Sequence, residues 1–331
     1  MAGAGNVALR AIQHRGWDAW ELSRDEVRLL LVPQVGGRIM GLEWRDQSLF
    51  FVHPELEGRV ENLAGVTDVR AKKKSMGFLY WGGDKTWLAP QSAWTDDAPF
   101  LDLDSGAYEF DVDEATPSQL RVTMTSPICR ESGAQIIRTI ELGSRDWHWT
   151  VTHTLRNRSS GNIRWGLWNV SMVMKPARVY LPRAAVSAYP QGIKTFTEEG
   201  ESAAIRDRVV HPLGTCASID CVEPRKYKFG VDASEGWILS VIELSHRILA
   251  GYLKKFPVFQ GAKYAHGCTA EVFCSGEFDY FELEIHGPLV TLEPGQSFSF
   301  AEDQCVFDIT DRPGTEQELR KLLEKRNYPS P

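Results

Sequence analysis

Tyr280–Gln304, YFELEIHGPLVTLEPGQSFSFAEDQ, carries three acid-base side chains on alternate residues. On a strand, successive side chains point to opposite faces, so Glu282, Glu284 and His286 share one face while Phe281, Leu283 and Ile285 share the other. Gly287-Pro288 ends that strand, and Glu293-Pro294-Gly295 is a turn before a second alternating run, Ser297 to Phe300. A strand apolar on one side and ionisable on the other is either a solvated edge of a sheet or the floor of a site.

Outward from this stretch, the chain reads as all-β. Short runs rich in Val, Ile, Phe, Trp and Thr are separated by Gly, Pro, Asp and Asn. Leu29–Pro33 and Arg38–Trp44 flank the turn pair Gly36-Gly37, and Leu49–Val52 suggests a third strand. Further strands are expected at Glu109–Val112, Leu120–Thr125, Ala134–Leu142, Trp147–Asn157 and Ile163–Met174. Trp237–Glu243 and Ile248–Phe256 read as an antiparallel pair, followed by Thr269–Cys274. Residues 62–77, which include the basic run Arg70–Lys74, read as solvated loop, and 178–225 as connections between short strands. Only the tail reads as helix: Thr315 and Glu318 form a capping box, with Leu319, Leu322 and Leu323 as the apolar stripe.

The 331 residues suit one large β domain or two average ones, and the lack of repeats or a long linker favours one. A net charge of −7 without a clustered basic face gives no reason to expect a nucleic-acid partner. No stretch approaches the roughly 18 apolar residues that span a bilayer, and the first residues lack the apolar centre of a signal peptide. A soluble, cytoplasmic protein is expected, its six cysteines reduced and mostly buried.

Five segments carry a family resemblance: Val32–Ile39, Trp81–Gln91 (WGGDKTWLAPQ), Arg138–Leu142, Arg164–Asn169 and Tyr280–Gly295. With these the chain resembles the galactose mutarotase-like superfamily, and within it looks closest to the DUF4380 group. The resemblance, which spans about 28–308, implies a β-supersandwich; with the single-domain reading and the capping box, this gives one domain over 1–331 with its core at about 28–308 and a short C-terminal helix at about 315–326. It implies a carbohydrate-active protein acting on a carbohydrate-like small molecule. Aldose 1-epimerase-like isomerisation, carbohydrate binding without chemistry, and lyase, cyclase or epimerase chemistry on the same fold all stay open.

In mutarotases a glutamate on a late strand before a Pro-Gly turn is the general base, and Glu284 ahead of Pro294-Gly295 resembles it. Trp168 stands about where the family's acidic histidine would be, which leaves the acid among His286, His266 and Lys85. Lys255 is a further nearby cation. Opening a hemiacetal requires one group to take the hydroxyl proton and another to protonate the ring oxygen.

Around that centre, Gly82-Gly83 would bring backbone close to a ligand, with Asp84, Lys85 and Gln91 supplying polar contacts and Trp81, Trp87 and Trp94 stacking walls. Trp168, Asn169, Glu271 and Glu282 join them as substrate-binding candidates. So do Arg38 and Arg138, each expected to pair with Glu271, Glu282 or Glu284 or to hold an anionic substrate. Gly82–Lys85 lacks the spacing of a nucleotide loop, no zinc motif or serine-hydrolase elbow occurs, and neither a cofactor nor a metal is expected.

Overall fold

The structure is a computed structural model that describes residues 6–143, 148–245 and 248–326. Trp147, expected to open a strand, lies outside them; the strand described there is Trp149–Asn157. Among the described residues the strands form two antiparallel sheets, one of twelve strands and one of ten. This is the galactose mutarotase-like sandwich with a short C-terminal helix, Glu316–Glu324, whose Thr315–Glu318 capping box is formed.

The first sheet runs, in spatial order, Val7–His14, Trp17–Arg24, Val27–Val32, Arg38–Trp44, Asp84–Ala89, Ile163–Met174, Tyr280–His286, Ala270–Cys274, Tyr227–Val231 and Lys194–Gly200. Tyr280–His286 is thus a central strand, hydrogen-bonded on both sides, and every one of its residues is buried. A solvated edge is excluded. The second sheet includes Trp237–Glu243, Leu249–Lys255, Ser297–Ile309, Trp149–Asn157 and Ala134–Gly143 as consecutive neighbours. Phe281, Leu283 and Ile285 face it across one continuous core with Val151, Leu155, Ile238 and Ile242.

Several boundaries differ from the pattern reading. The core begins well before residue 28, because Val7–His14 and Trp17–Arg24 pair and bury Val7 and Leu22. Leu49–Val52 is not a full strand; Phe50 and Val52 make single bridges, to Val173 and Gly82. The basic run is not a loop: Val69–Met76 is a helix capped by the Asp68 side chain. Its Lys73 is 1% exposed, with Nζ 3.2 Å from Thr95 Oγ1 and 3.7 Å from Glu131. Lysine burial of this kind requires such partners, which the local sequence does not display. Ser202–Val209 is a further unforeseen helix. All six cysteines are free and buried.

Parity decides where the charges go. On Asp84–Ala89, Asp84 and Thr86 point between the sheets while Lys85 and Trp87 point away from the second sheet. Asp84 is fully buried, bonded to Arg138 from the second sheet, to Ser171 Oγ at 2.6 Å and to Asn169 Nδ2 at 3.0 Å. Lys254 Nζ lies 3.5 Å from Asp84 and 3.3 Å from Glu302, which in turn is 2.9 Å from His153 Nε2. Two carboxylates and two cations thus balance inside the sandwich. Burial pushes the Asp84 pKa up, but Lys254 and Arg138 outweigh it and hold the group down at about 2.

Asp84→Asn is therefore expected to cost about 3–5 kcal/mol, because it leaves Arg138 without its counter-charge and Lys254 with Glu302 alone. Since the folded pKa is depressed, the Asp84 contribution is complete above the ordinary carboxylate pKa and is lost as pH falls towards about 2. Urea unfolding of both proteins between neutral and acidic pH checks this: the gap in stability must narrow on acidification.

Candidate functional site

The face of the first sheet turned away from the sandwich interior assembles the site row by row. Strand register places Lys228, Phe273, Glu282 and Met172 in one row. The next holds Gly230, Glu271, Glu284, Val170 and Lys85, and a third holds His286, Trp168 and Trp87. Glu271 and Glu284 are direct cross-strand neighbours, as their shared charged face implies, and both are fully buried.

Two carboxylates side by side require a cation. Lys228 supplies it, with Nζ 2.8 Å from Glu271 Oε2 and 2.9 Å from Glu284 Oε2. Lys228 was not singled out from the sequence. Its signal was the alternation of Tyr227, Phe229 and Val231, which all point into the core and leave Lys228 and Gly230 on the site face. Gly230 makes room: a Cβ there would lie 2.6 Å from Cys268 Sγ and 3.1 Å from Glu271 Cγ.

Trp168 folds over the pair and donates from Nε1 to Glu284 Oε2 at 2.8 Å. Glu284 Oε1 is left without a hydrogen-bond partner. Burial drives the Glu284 pKa well up, aided by Glu271 and Glu282 and opposed by Lys228. Glu271 goes the other way: burial raises it, but Lys228, His286 and His266 together hold it well below the usual carboxylate range.

Beside Glu271 stand two imidazoles. The Gln91 amide donates to His266 Nε2 at 3.2 Å, which puts the ring proton on Nδ1, 3.2 Å from Glu271 Oε1. His286 Nε2 is 3.1 Å from the same oxygen but off hydrogen-bonding alignment, so both its ring nitrogens lack a partner. The rings of Trp168, His266 and His286 are in mutual contact, with centroids 4.8–5.6 Å apart.

Above this floor is a cleft of about 90 Å³ walled by Phe78, Tyr80, Trp87, Trp168, Phe273 and Tyr280. Its charged lining residues are Glu199, Lys226, Lys228 and Glu282, with Gln91 at one side. Glu199 pairs with Lys226 at 2.7 Å. Lys85 Nζ sits 3.5 Å from Glu282 and 4.0 Å from the Trp87 ring centroid. Burial pushes the Lys85 pKa below the ordinary lysine value, against the pull of Glu282.

Of the candidates read from sequence, Lys85, Trp87, Gln91, Trp168, Glu271, Glu282, Glu284 and His286 come together here, with Trp94 packed against Trp87 and Trp168. Asp84, Arg138 and Asn169 do not: they belong to the charge network between the sheets. Arg38 pairs with Asp104 at 2.6 Å, not with a glutamate of the floor, and that Asp104 also accepts from Trp87 Nε1. Trp81 lies in a separate cluster, bonded to Ser105. Gly82 and Gly83 allow backbone to meet backbone instead of ligand, since a Cβ at Gly82 would lie 2.2 Å from the Phe51 carbonyl oxygen. Lys255 bonds the Arg326 carbonyl, away from the floor.

No family model matches the chain, and no curated protein does. Solved structures match it in fold. A putative aldose 1-epimerase from Klebsiella pneumoniae superposes with a TM-score of 0.60 at 10% identity, over 97% of this chain and 86% of that one. A galactose mutarotase-like protein from Clostridium acetobutylicum gives 0.52 at 10% identity, over 92% and 99%. A TPR-domain containing protein from Parabacteroides distasonis gives 0.56 at 11% identity, over 91% of this chain but only 50% of that longer one. At such identities the likeness establishes the fold, and the reaction must be argued from the site. Among the described residues, no helix is long and apolar enough to cross a membrane.

Lys228→Met is expected to destabilise the protein by about 3–5 kcal/mol, since it strands two buried carboxylates. Glu284→Gln, which keeps the Lys228–Glu271 pair, is expected to cost clearly less. Equilibrium unfolding of both variants tests the order, and equal losses would contradict a shared cation.

Proposed function

We propose that the chain is an aldose 1-epimerase-like isomerase that interconverts anomers of a small carbohydrate by acid-base catalysis in the aromatic cleft. The observation that carries this reading is the pairing of Glu282 and Lys85, 3.5 Å apart at the wall formed by Trp87. A carboxylate and a lysine whose burial makes it a stronger acid than usual supply the base and acid that hemiacetal opening requires. Glu282 takes the anomeric hydroxyl proton, the bond from the anomeric carbon to the ring oxygen breaks, and Lys85 protonates that oxygen. Rotation and reclosure return both protons and give the other anomer.

The faces of Trp87 and Trp168 suit the C–H face of a sugar ring. At about 90 Å³ the cleft holds roughly three waters' worth of space, so one edge of the ring enters while the rest lies over Tyr80 and Lys226 at the rim. Glu284, the residue that resembles the family base, acts here by fixing Lys228 and Trp168 from beneath. The quoted motifs support placing the chain near the DUF4380 group, and six free buried cysteines fit a cytoplasmic setting.

Polarimetry or exchange NMR on a panel of aldoses is expected to show acceleration over buffer. Glu282→Gln and Lys85→Met should each lower kcat/KM by about 100-fold. The profile should fall on its alkaline side below the ordinary lysine value of 10.5, as Lys85 loses its proton. No acceleration with any aldose would end the isomerase reading. Calorimetric sugar binding without turnover would then favour a binding protein, a reading supported by the burial of Glu284 beneath Trp168.

A further inference from the structure

The buried imidazole of His286 has no account in the isomerase reading. It is 1% exposed, and neither ring nitrogen has a hydrogen-bond partner. A buried donor or acceptor left unmade is costly, and native structures rarely tolerate one without a reason. Its Nε2 lies 3.1 Å from a carboxylate oxygen that a second imidazole also approaches. His266, Glu271 and His286 each offer one donor atom, and the three atoms lie within 4.8 Å of one another.

We propose that His266 Nδ1, Glu271 Oε1 and His286 Nε2 form a binding site for a divalent first-row transition ion, of which Zn²⁺ is the representative. The measured edges support it. Ligands about 2.0–2.1 Å from a tetrahedral zinc are separated by roughly 3.4 Å. The carboxylate-to-imidazole edges here are 3.2 Å to His266 and 3.1 Å to His286. The remaining edge, between the two imidazoles, closes by a shift of His266, which stands on a segment outside the strands and gives up its present contact with the Gln91 amide. Two imidazoles and a carboxylate are a borderline donor set that selects zinc and its neighbours over magnesium or calcium. Three protein donors leave a position open, the pattern of a reactive ion more than a purely structural one.

The outer contacts fit as well. Glu271 Oε1 lies near both imidazoles, while Oε2, also 3.3 Å from His266 Nδ1, is held by Lys228 at 2.8 Å, so Oε1 is the oxygen available to an ion and Oε2 the anchored one. Loading has one local consequence. An ion on His266 Nδ1 moves the ring proton to Nε2, which then can no longer accept from the Gln91 amide. Because Gln91 lines the aromatic cleft, occupancy of the ion site is coupled to the cleft wall. The site stands apart from the isomerase reading: ion binding is measured without sugar, and either can fail alone.

The test titrates Co²⁺ alone into the full chain, follows its visible absorption, and then competes it with Zn²⁺. One equivalent is expected, with the intense bands of a low-coordinate ion, displaced by Zn²⁺. His286→Ala and Glu271→Gln should each weaken binding by about 100-fold or more, at or beyond the loss that outer-shell changes give. Because those buried positions affect folding, His266→Ala is the second variant. It is partly exposed and leaves the Glu271–Lys228 pair intact, so near-ultraviolet circular dichroism should stay native while the bands are lost. His211→Ala, at a surface imidazole paired with Asp220, should change nothing. A spectrum that stays that of the aquo ion, or bands that survive in His266→Ala or His286→Ala, would overturn the site.

Discussion

The Asp84 carboxylate, closed between the two sheets with Arg138 and Lys254, constrains everything above it. An ion group in a dry interior is tolerated only with its partners in place, so the strand that carries Asp84 cannot slip relative to the second sheet without exposing unpaired charge. A slip of one residue would also exchange Asp84 with Lys85, and so swap the interior with the site. The register that satisfies Asp84 is therefore the register that puts Lys85 beside Val170 and Trp87 beside Trp168 on the outer face.

The two polar layers solve different problems. Between the sheets, two carboxylates meet two cations, with further hydrogen bonds from Asn169, Ser171, His153 and Thr86. That layer is balanced in charge, although Arg138 Nε and Glu302 Oε2 make no hydrogen bond. On the outer face, Glu271 and Glu284 share a single ammonium, and Glu284 Oε1 and both ring nitrogens of His286 make no hydrogen bond. The inner layer matches charge for charge, whereas the outer one carries an excess carboxylate beside the cleft, since Glu271, Glu282 and Glu284 face only Lys228 and Lys85.

Much of the outer layer was legible in the sequence because period-two alternation is local. Glu282, Glu284 and His286 on one face, and Glu271 beside them, follow from two short strands and their parity. The same rule, applied to neighbours, also separates residues: Asp84 and Lys85, or Trp168 and Asn169, cannot face the same side of one strand. A single ligand wall over Trp81–Gln91 conflicts with this rule, and it is why Asp84 and Asn169 lie between the sheets. Other features depend on distant pairing that no local pattern contains. Arg38 finds Asp104, Arg138 finds Asp84, and Lys228 arrives on a five-residue strand two places away in the sheet. Lys73 hides in a helix whose sequence looks like a solvated basic run because its partners, Thr95 and Glu131, come from elsewhere.

Trp168 stands where the resemblance expects a histidine, yet imidazoles are not missing from the floor; they come from other positions. His286 lies directly across the strand pair from Trp168, and His266 reaches it from the segment before Ala270. The indole uses its one donor on Glu284 and so fixes the carboxylate below it. Glu271 then becomes the point at which the layers of the site communicate. Its Oε2 answers to Lys228 and through it to Glu284, while its Oε1 answers to His266 and through that ring to the Gln91 amide at the cleft. A change at either oxygen is felt at the other, because the two share one delocalised charge.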